Sequence, residues 1–225
     1  TWVERSSGLG NIHSDLKLDP VNPTRQYLAV TLGTDQQECI LYRSDDRGKS
    51  WKSITQGEHI SWCGPVFDTN NDLFSLIEDK LMKSIDDGNS WISLRLPREK
   101  SLDPFYKIGA NPYLPNYLYA ISFNLFYSLD GGNTWQEATR ITADPNQPFG
   151  RVYFADEGNL IYSVNDMFFS TDAGQTWNAC ADAQASSSDS QLAIDPRNGK
   201  HLYLASASDG VLISRDGCQS WQASN

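Results

Sequence analysis

Apolar positions along the 225-residue chain come in short runs, and none extends into a helix-length stripe. The richest runs are QYLAVTL (26–32), DLFSLIE (72–78), NYLYAIS (116–122), NLIYSV (159–164) and HLYLASA (201–207). Four of them follow turn-forming segments, DPVNPTR, NPYLPN, DEGN and DPRNGK, in which Pro, Gly, Asn and Asp punctuate the backbone. Each rich run is followed by another: CILYRS, KLMKS, LFYSL, MFFST and GVLIS. Shorter stretches before the turns (SDLKLDP, SQLAIDP) and after the second run (WKSIT, WISLRL, WQEATR, WNACA) make four per group. No ten-residue segment carries apolar residues at helical spacing, so the pattern predicts short strands throughout.

The groups recur. RSDDRGKSW ends at Trp51, KSIDDGNSW at Trp91, YSLDGGNTW at Trp135, FSTDAGQTW at Trp177 and ISRDGCQSW at Trp221. The shared pattern is S-x-D-x-G-x-(S/T)-W. Its serines, Ser44, Ser84, Ser128, Ser170 and Ser214, stand 40, 44, 42 and 44 residues apart. Thr1-Trp2 fits the last two places of a sixth copy, so six of the seven tryptophans obey one rule. Four short strands in a unit of about 42 residues is the signature of a propeller blade. The expected fold is therefore all-β. It has five four-stranded blades, at about 7–57, 58–97, 98–141, 142–181 and 182–225, and an extra outer strand at 1–6. Both ends of the chain offer the same kind of strand, so the array reads as five complete blades with a spare strand or as part of a larger propeller.

These boxes resemble the Asp-box (BNR) repeat of sialidases, xyloglucan-active endoglucanases, sortilin-type receptors and photosystem II assembly factors. The phrasing DPRNGKHLYLAS…GVLISRDG is most similar to the endoglucanase and sortilin branch. The resemblance covers nearly the whole chain. It implies a propeller whose box is the hairpin between the third and fourth strands, and it implies no single activity, because the repeat serves enzymes and non-enzymes.

Within each hairpin the box residues have separate structural work. Asp46, Asp86, Asp130, Asp172 and Asp216 can accept hydrogen bonds from their own turns. Gly48, Gly88, Gly132 and Gly174 can supply positive φ. The hydroxyls close remaining backbone bonds. Each tryptophan, if enclosed, buries about 150–250 Å², or a gross ~4–6 kcal/mol. Ligand readings fit less well. RGKS at 47–50 has Arg43 where a phosphate loop needs glycine, and a helix-loop-helix calcium site needs flanking helices and a terminal Glu. The fifth box has Cys218 at the glycine place, which predicts a turn that is strained or differently shaped.

Charge and cysteine content narrow the classes. Acidic residues outnumber basic ones 28 to 18, for a net charge of −10, and no Lys/Arg run offers the patch that nucleic acid requires. No apolar run reaches the 18 residues of a membrane span. Four separated cysteines (39, 63, 180 and 218), with no Cys-x-x-Cys or Cys/His cluster, suggest no metal site and no cofactor. They allow three disulfide pairings, and Cys218 is a candidate partner for Cys180.

Two enzyme readings come with the resemblance. Sialidases of this repeat use an arginine triad and an early R-I-P motif; that motif is absent, and only Arg151, in FGRVYF, suits an inner strand. The endoglucanases use two aspartates between two propellers, whereas this chain holds one propeller-sized array. Asp15, Asp103, Asp144 and Asp156 are candidate acids without paired spacing, and Asp15 and Asp156 better suit surface or turn positions. His13, His59 and His201 are scattered through different blades. The residues favour a non-catalytic, extracytoplasmic binding or scaffold module for a protein or glycan. A hydrolase acting on a β-glucan and an assembly factor for a membrane complex are the alternatives. The candidate binding residues lie in the irregular loops: Trp62, the lone tryptophan outside a box; Arg98, Lys100, Phe105 and Tyr106; and Phe149 with Arg151. Aromatics with Arg make interface hot spots and sugar platforms, although Trp62, Phe105 and Tyr106 also suit a core where inner strands meet.

Overall fold

The computed structural model describes residues 13–32, 38–55, 63–77, 80–97, 107–122, 124–138, 151–156, 158–163, 167–181, 191–206 and 209–224. These form five four-stranded sheets, each a meander of neighbouring strands. The first contains β1 (His13–Leu18), β2 (Gln26–Leu32), β3 (Glu38–Ser44) and β4 (Lys52–Ser53). The second contains β5 (Val66–Phe67), β6 (Leu73–Ile77), β7 (Lys80–Ser84) and β8 (Ile92–Leu94). The third has β9 (Lys107–Ala110), β10 (Leu118–Ile121), β11 (Leu125–Ser128) and β12 (Gln136–Glu137). The fourth has β13 (Arg151–Phe154), β14 (Leu160–Ser163), β15 (Met167–Ser170) and β16 (Asn178–Ala179), and the fifth β17 (Gln191–Ile194), β18 (Leu202–Ser206), β19 (Gly210–Ser214) and β20 (Gln222–Ala223). The sheets are the blades of a β-propeller. The chain divides into two compact units; the first holds the first two sheets with β9 and most of β10, the second holds the fourth and fifth sheets.

Burial explains why the second strand of each group reads as a continuous apolar run. Successive side chains on a strand point to opposite faces. In β6, Leu73 and Ile77 pack with Tyr27, Ala29 and Leu41 of the first sheet, while Phe74 and Leu76 pack with Ile108 and Leu118 of the third. Both faces are covered, so both must be apolar. β18 differs: Leu202 and Leu204 join Ile161 and Met167 in a core cluster, whereas Tyr203 between them is 40% exposed and Val211 opposite Ala205 is 45% exposed. One face of the fifth sheet is dry and the other is wet.

The Asp-box hairpins share one geometry. The box serine hydroxyl donates to the aspartate Oδ1 at 2.8 Å in all five. The same Oγ accepts the N–H of the residue at the glycine place, for example Gly88 at 2.7 Å and Gly132 at 2.9 Å. The later Ser or Thr donates its N–H to Oδ1 and its hydroxyl to Oδ2, at 2.8 and 2.6 Å for Thr134 on Asp130. Its hydroxyl therefore serves the carboxylate, not the backbone. Positive φ occurs at the glycine place and also at the residue before it: Arg47 (61°), Asp87 (64°), Gly131 (70°), Ala173 (57°) and Gly217 (74°). Two successive left-handed residues make the turn that fits the twist of a tight hairpin. The hairpin also docks on the first turn of its own sheet. The N–H groups of Arg47, Gly131, Ala173 and Gly217 donate to the carbonyls of Thr24, Asn116, Gly158 and Lys200 at 2.8–3.0 Å.

The fifth box keeps this shape. Cys218 takes φ 73°, and its N–H reaches the Ser214 Oγ at 2.9 Å. Of the two outcomes expected there, the turn is not reshaped; a non-glycine residue is held in the left-handed region, which costs about 1–2 kcal/mol. Box tryptophans 51, 91, 135, 177 and 221 are half-buried, so the full-burial figure overstates their contribution.

A peg three places after Trp51, Trp91 and Trp177 joins neighbouring sheets. The Ile54 Cδ1 would lie 2.5 Å from a Cβ placed on Gly88, and the Leu94 Cδ1 3.1 Å from one on Gly132. At the equivalent place Cys180 is bonded to Cys218. A second disulfide, Cys39–Cys63, ties the first sheet to the segment entering the second.

Candidate functional site

The box carboxylates are not available as ligands, because each already accepts three hydrogen bonds inside its hairpin. These bonds hold their pKa values down. The Ser90 hydroxyl and N–H, with the Ser84 hydroxyl, bring Asp86 to about 2; Ser220 and Ser214 bring Asp216 to about 2. Asp46 is lowered further by Ser50 and Ser44. For Asp130 and Asp172 burial pushes upward but the hydroxyls and N–H groups of Thr134 and Thr176 outweigh it.

Other acids fall into turns. The Asp156 Oδ1 accepts the N–H groups of Gly158 and Asn159 at 3.0 and 2.9 Å, and its Oδ2 accepts the Asn159 amide at 2.6 Å. Asp19, Asp68 and Asp195 cap the equivalent turns of other sheets through Oδ1. His201 contacts the Asn198 side chain at 3.3 Å in such a turn.

Among the candidate binding residues, Arg151 begins β13, opposite Ser163, with its side chain exposed. Trp62, Arg98, Lys100, Phe105, Tyr106 and Phe149 lie outside the described residues, as do Asp103 and Asp144.

A cleft of about 400 Å³ runs across the first strands of three sheets, β1, β5 and β9. Asp15 and Lys17 enter it from β1, Phe67 from β5, Lys107 and Gly109 from β9, and Tyr119 from β10. The Phe67 ring is set edge-on against Tyr27 with centroids 5.3 Å apart, which fixes the apolar floor. Gly109 is required there: a Cβ at this position would overlap the Tyr119 ring. Lys17 Nζ lies 3.8 Å from Asp15 Oδ1, and both side chains are substantially exposed, so this pair is weak and replaceable by a ligand. Two ammonium groups beside an apolar floor can hold a ligand that carries an acidic group next to an apolar one. Asp15 is the only carboxylate among the described lining residues, whereas glycoside hydrolysis uses two.

The sequence reading singled out Asp15 but missed Lys17, Lys107, Gly109 and Tyr119. Their signal was faint: lysines on first strands and a glycine inside KIGA (107–110). In sequence, Tyr106 directly precedes β9 and Trp62 stands three residues before Pro65.

Comparison with known proteins agrees with the architecture. The BNR/Asp-box repeat model matches residues 168–179, which contain the whole fourth box. No curated protein matches the sequence. Among solved structures, an ancestral GH74 enzyme is 19% identical with a TM-score of 0.70, over 96% of this chain and 31% of its own. YCF48 bound to D1 peptide is 13% identical with a TM-score of 0.54, over 86% and 58%. An auxiliary nutrient binding protein from Bacteroides thetaiotaomicron is 13% identical with a TM-score of 0.59, over 96% and 57%. The chain thus spans little more than half of the YCF48 chain and under a third of the GH74 chain. At these identities the likeness is one of fold.

Proposed function

With the chain built as an Asp-box β-propeller, we propose that it is a non-catalytic binding module for a protein or glycan bearing an acidic group. The first-strand cleft is its ligand site. The observation that carries this reading is the convergence of Lys17 and Lys107 on an apolar floor within a chain of net charge −10. The acidic surface repels anionic ligands elsewhere, so a local pair of cations supplies selectivity more than raw affinity. The nutrient-binding and peptide-bound structures of the same fold support a binding role. Pairing of all four cysteines in disulfides supports an extracytoplasmic setting.

Arrays of neutral and uronic-acid glycans, together with labelled acidic and basic peptides, test the reading. Binding to at least one acidic class is expected, and the double variant Lys17→Glu/Lys107→Glu should weaken it tenfold or more. Unchanged binding by that variant refutes the site. Release of reducing sugar from a β-glucan would establish the hydrolase alternative.

A further inference from the structure

The turn that joins β17 to β18, DPRNGKH (195–201), holds the single Asn-Gly pair of the chain, Asn198-Gly199. Asparagine before glycine is open to cyclisation, because no Cβ shields the glycine nitrogen from the neighbouring side-chain carbonyl. Asn198 is exposed and folded back on its own main chain. Its N–H donates to the Asp195 carbonyl at 3.1 Å, and its carbonyl accepts the His201 N–H at 2.9 Å. Its Oδ1 accepts the Lys200 N–H at 3.1 Å. That last bond closes an Asx turn. It holds the Asn198 Cγ on the side of the Gly199 nitrogen and polarises it for attack. The His201 Nε2 stands 3.3 Å from the Asn198 Nδ2, within reach to pass it a proton.

The position cannot escape this chemistry by losing its glycine, since a Cβ on Gly199 would lie 2.9 Å from the Ala155 carbonyl oxygen. The same turn carries the clasp of the fifth box, where the Gly217 N–H donates to the Lys200 carbonyl at 3.0 Å. Asp-Gly pairs cyclise by the same route, but at Asp130-Gly131 and Asp216-Gly217 the box hydrogen bonds hold the carboxyl ionised. A carboxylate is a poor electrophile, so the box pairs are protected and the Asn198 amide is not.

We propose that Asn198 is a site of spontaneous deamidation, assisted by His201, that loosens the fifth-box clasp as the protein ages. The Gly199 nitrogen bonds to the Asn198 Cγ and gives its proton to water. The Cγ–Nδ2 bond breaks, and ammonia leaves with a proton from His201 Nε2, which solvent restores. Water then opens the cyclic imide, at Cγ to give aspartate or at the main-chain carbonyl to give isoaspartate. Water enters, ammonia leaves, and nothing is oxidised or reduced. Isoaspartate routes the main chain through the side-chain methylene, which lengthens the turn and draws the Lys200 carbonyl away from Gly217.

The test is incubation of the folded protein in mildly alkaline buffer, followed by peptide mapping and isoaspartyl methyltransferase labelling. Aspartate and isoaspartate should appear at position 198 ahead of every other asparagine, and Asn198→Gln should give no product there. His201→Ala should slow conversion about tenfold or more in the protein. It should have little effect in the synthetic peptide DPRNGKHLY, where no fold holds the ring beside the amide. Amide exchange at Gly217 should quicken in the isoaspartate form and stay native in Asn198→Asp, whose carboxylate can still accept the Lys200 N–H. An intact Asn198 in the protein after the peptide has converted, an equal effect of His201→Ala in both, or native Gly217 exchange in the isoaspartate form each overturns the proposal.

Discussion

At the residue scale, each box aspartate is committed to three hydrogen bonds inside its own hairpin, as Asp86 is to Ser84 and Ser90. Asp86 shows what that implies for acid. Its pKa falls from 3.8 to about 2 on folding, so its contribution is fully present above the unfolded value and is lost as pH falls through the folded one. Asp216 behaves alike, and Asp46, Asp130 and Asp172 move in the same direction. Tryptophan fluorescence should therefore stay native from pH 7 down to about 4, with unfolding concentrated between about 4 and 2. Asp86→Asn should lower the urea midpoint at pH 7 and lower it by clearly less at about pH 3; an equal drop at both pH values would mean that the carboxylate charge is immaterial. Trp221 marks a local cost. Trp135 and Trp177 donate Nε1–H to the carbonyls of Gly132 and Gly174 at 3.1 and 2.9 Å. At the fifth box the Cys218 carbonyl takes the Ala181 N–H, and Trp221 Nε1 is left buried without a partner; such an orphan costs about 1–3 kcal/mol.

At the element scale, the seam peg and the glycine place form one unit. Leu94 over Gly132 is the apolar version and Cys180 bonded to Cys218 the covalent one. The double variant Cys180→Leu/Cys218→Gly should fold, relieve the left-handed strain and lose sensitivity to reductant at this seam. Cys218→Ala alone keeps the strain without the bond, and chemical denaturation should show a loss of about 3–4 kcal/mol, the scale of a disulfide closing a loop of this length. Failure of the double variant to fold would show that the two seams are not equivalent. The box was legible in sequence because five copies in register expose which positions are fixed. The left-handed residue before the glycine was not, because Arg47, Asp87 and Ala173 share no chemistry that announces it. The peg was hidden for the same reason: Ile54, Leu94 and Cys180 differ in type and agree only in their distance from the tryptophan.

At the scale of the whole molecule, sheet count and strand order followed from periodicity, since a sheet buried on both faces writes its burial into β6 as LFSLI. The cleft did not, because it is assembled from single residues on three sheets whose intervals obey no repeat. Tyr119 reads as core from its run, and only its fit over Gly109 makes it a cleft wall. The two disulfides close sequence separations of 24 and 38 residues, each between neighbouring sheets. A loop of either size is worth about 3–4 kcal/mol in the chain-entropy account. Calorimetry with and without reductant should show a melting temperature lower by roughly 12–30 °C when both bridges are reduced, on the usual scaling for a chain of this size; coincident traces would show that the bridges add nothing to stability.

The docking of four of the boxes on the first turn of their own sheets, as in Arg47 on Thr24 and Ala173 on Gly158, has a kinetic side. These bonds join residues close in the chain and need no neighbouring sheet to form. Loop closure over such short spans is entropically cheap and fast. The clasp therefore lets a blade take shape as soon as its own residues have left the ribosome, with the pegs between sheets engaging later, in the order of synthesis.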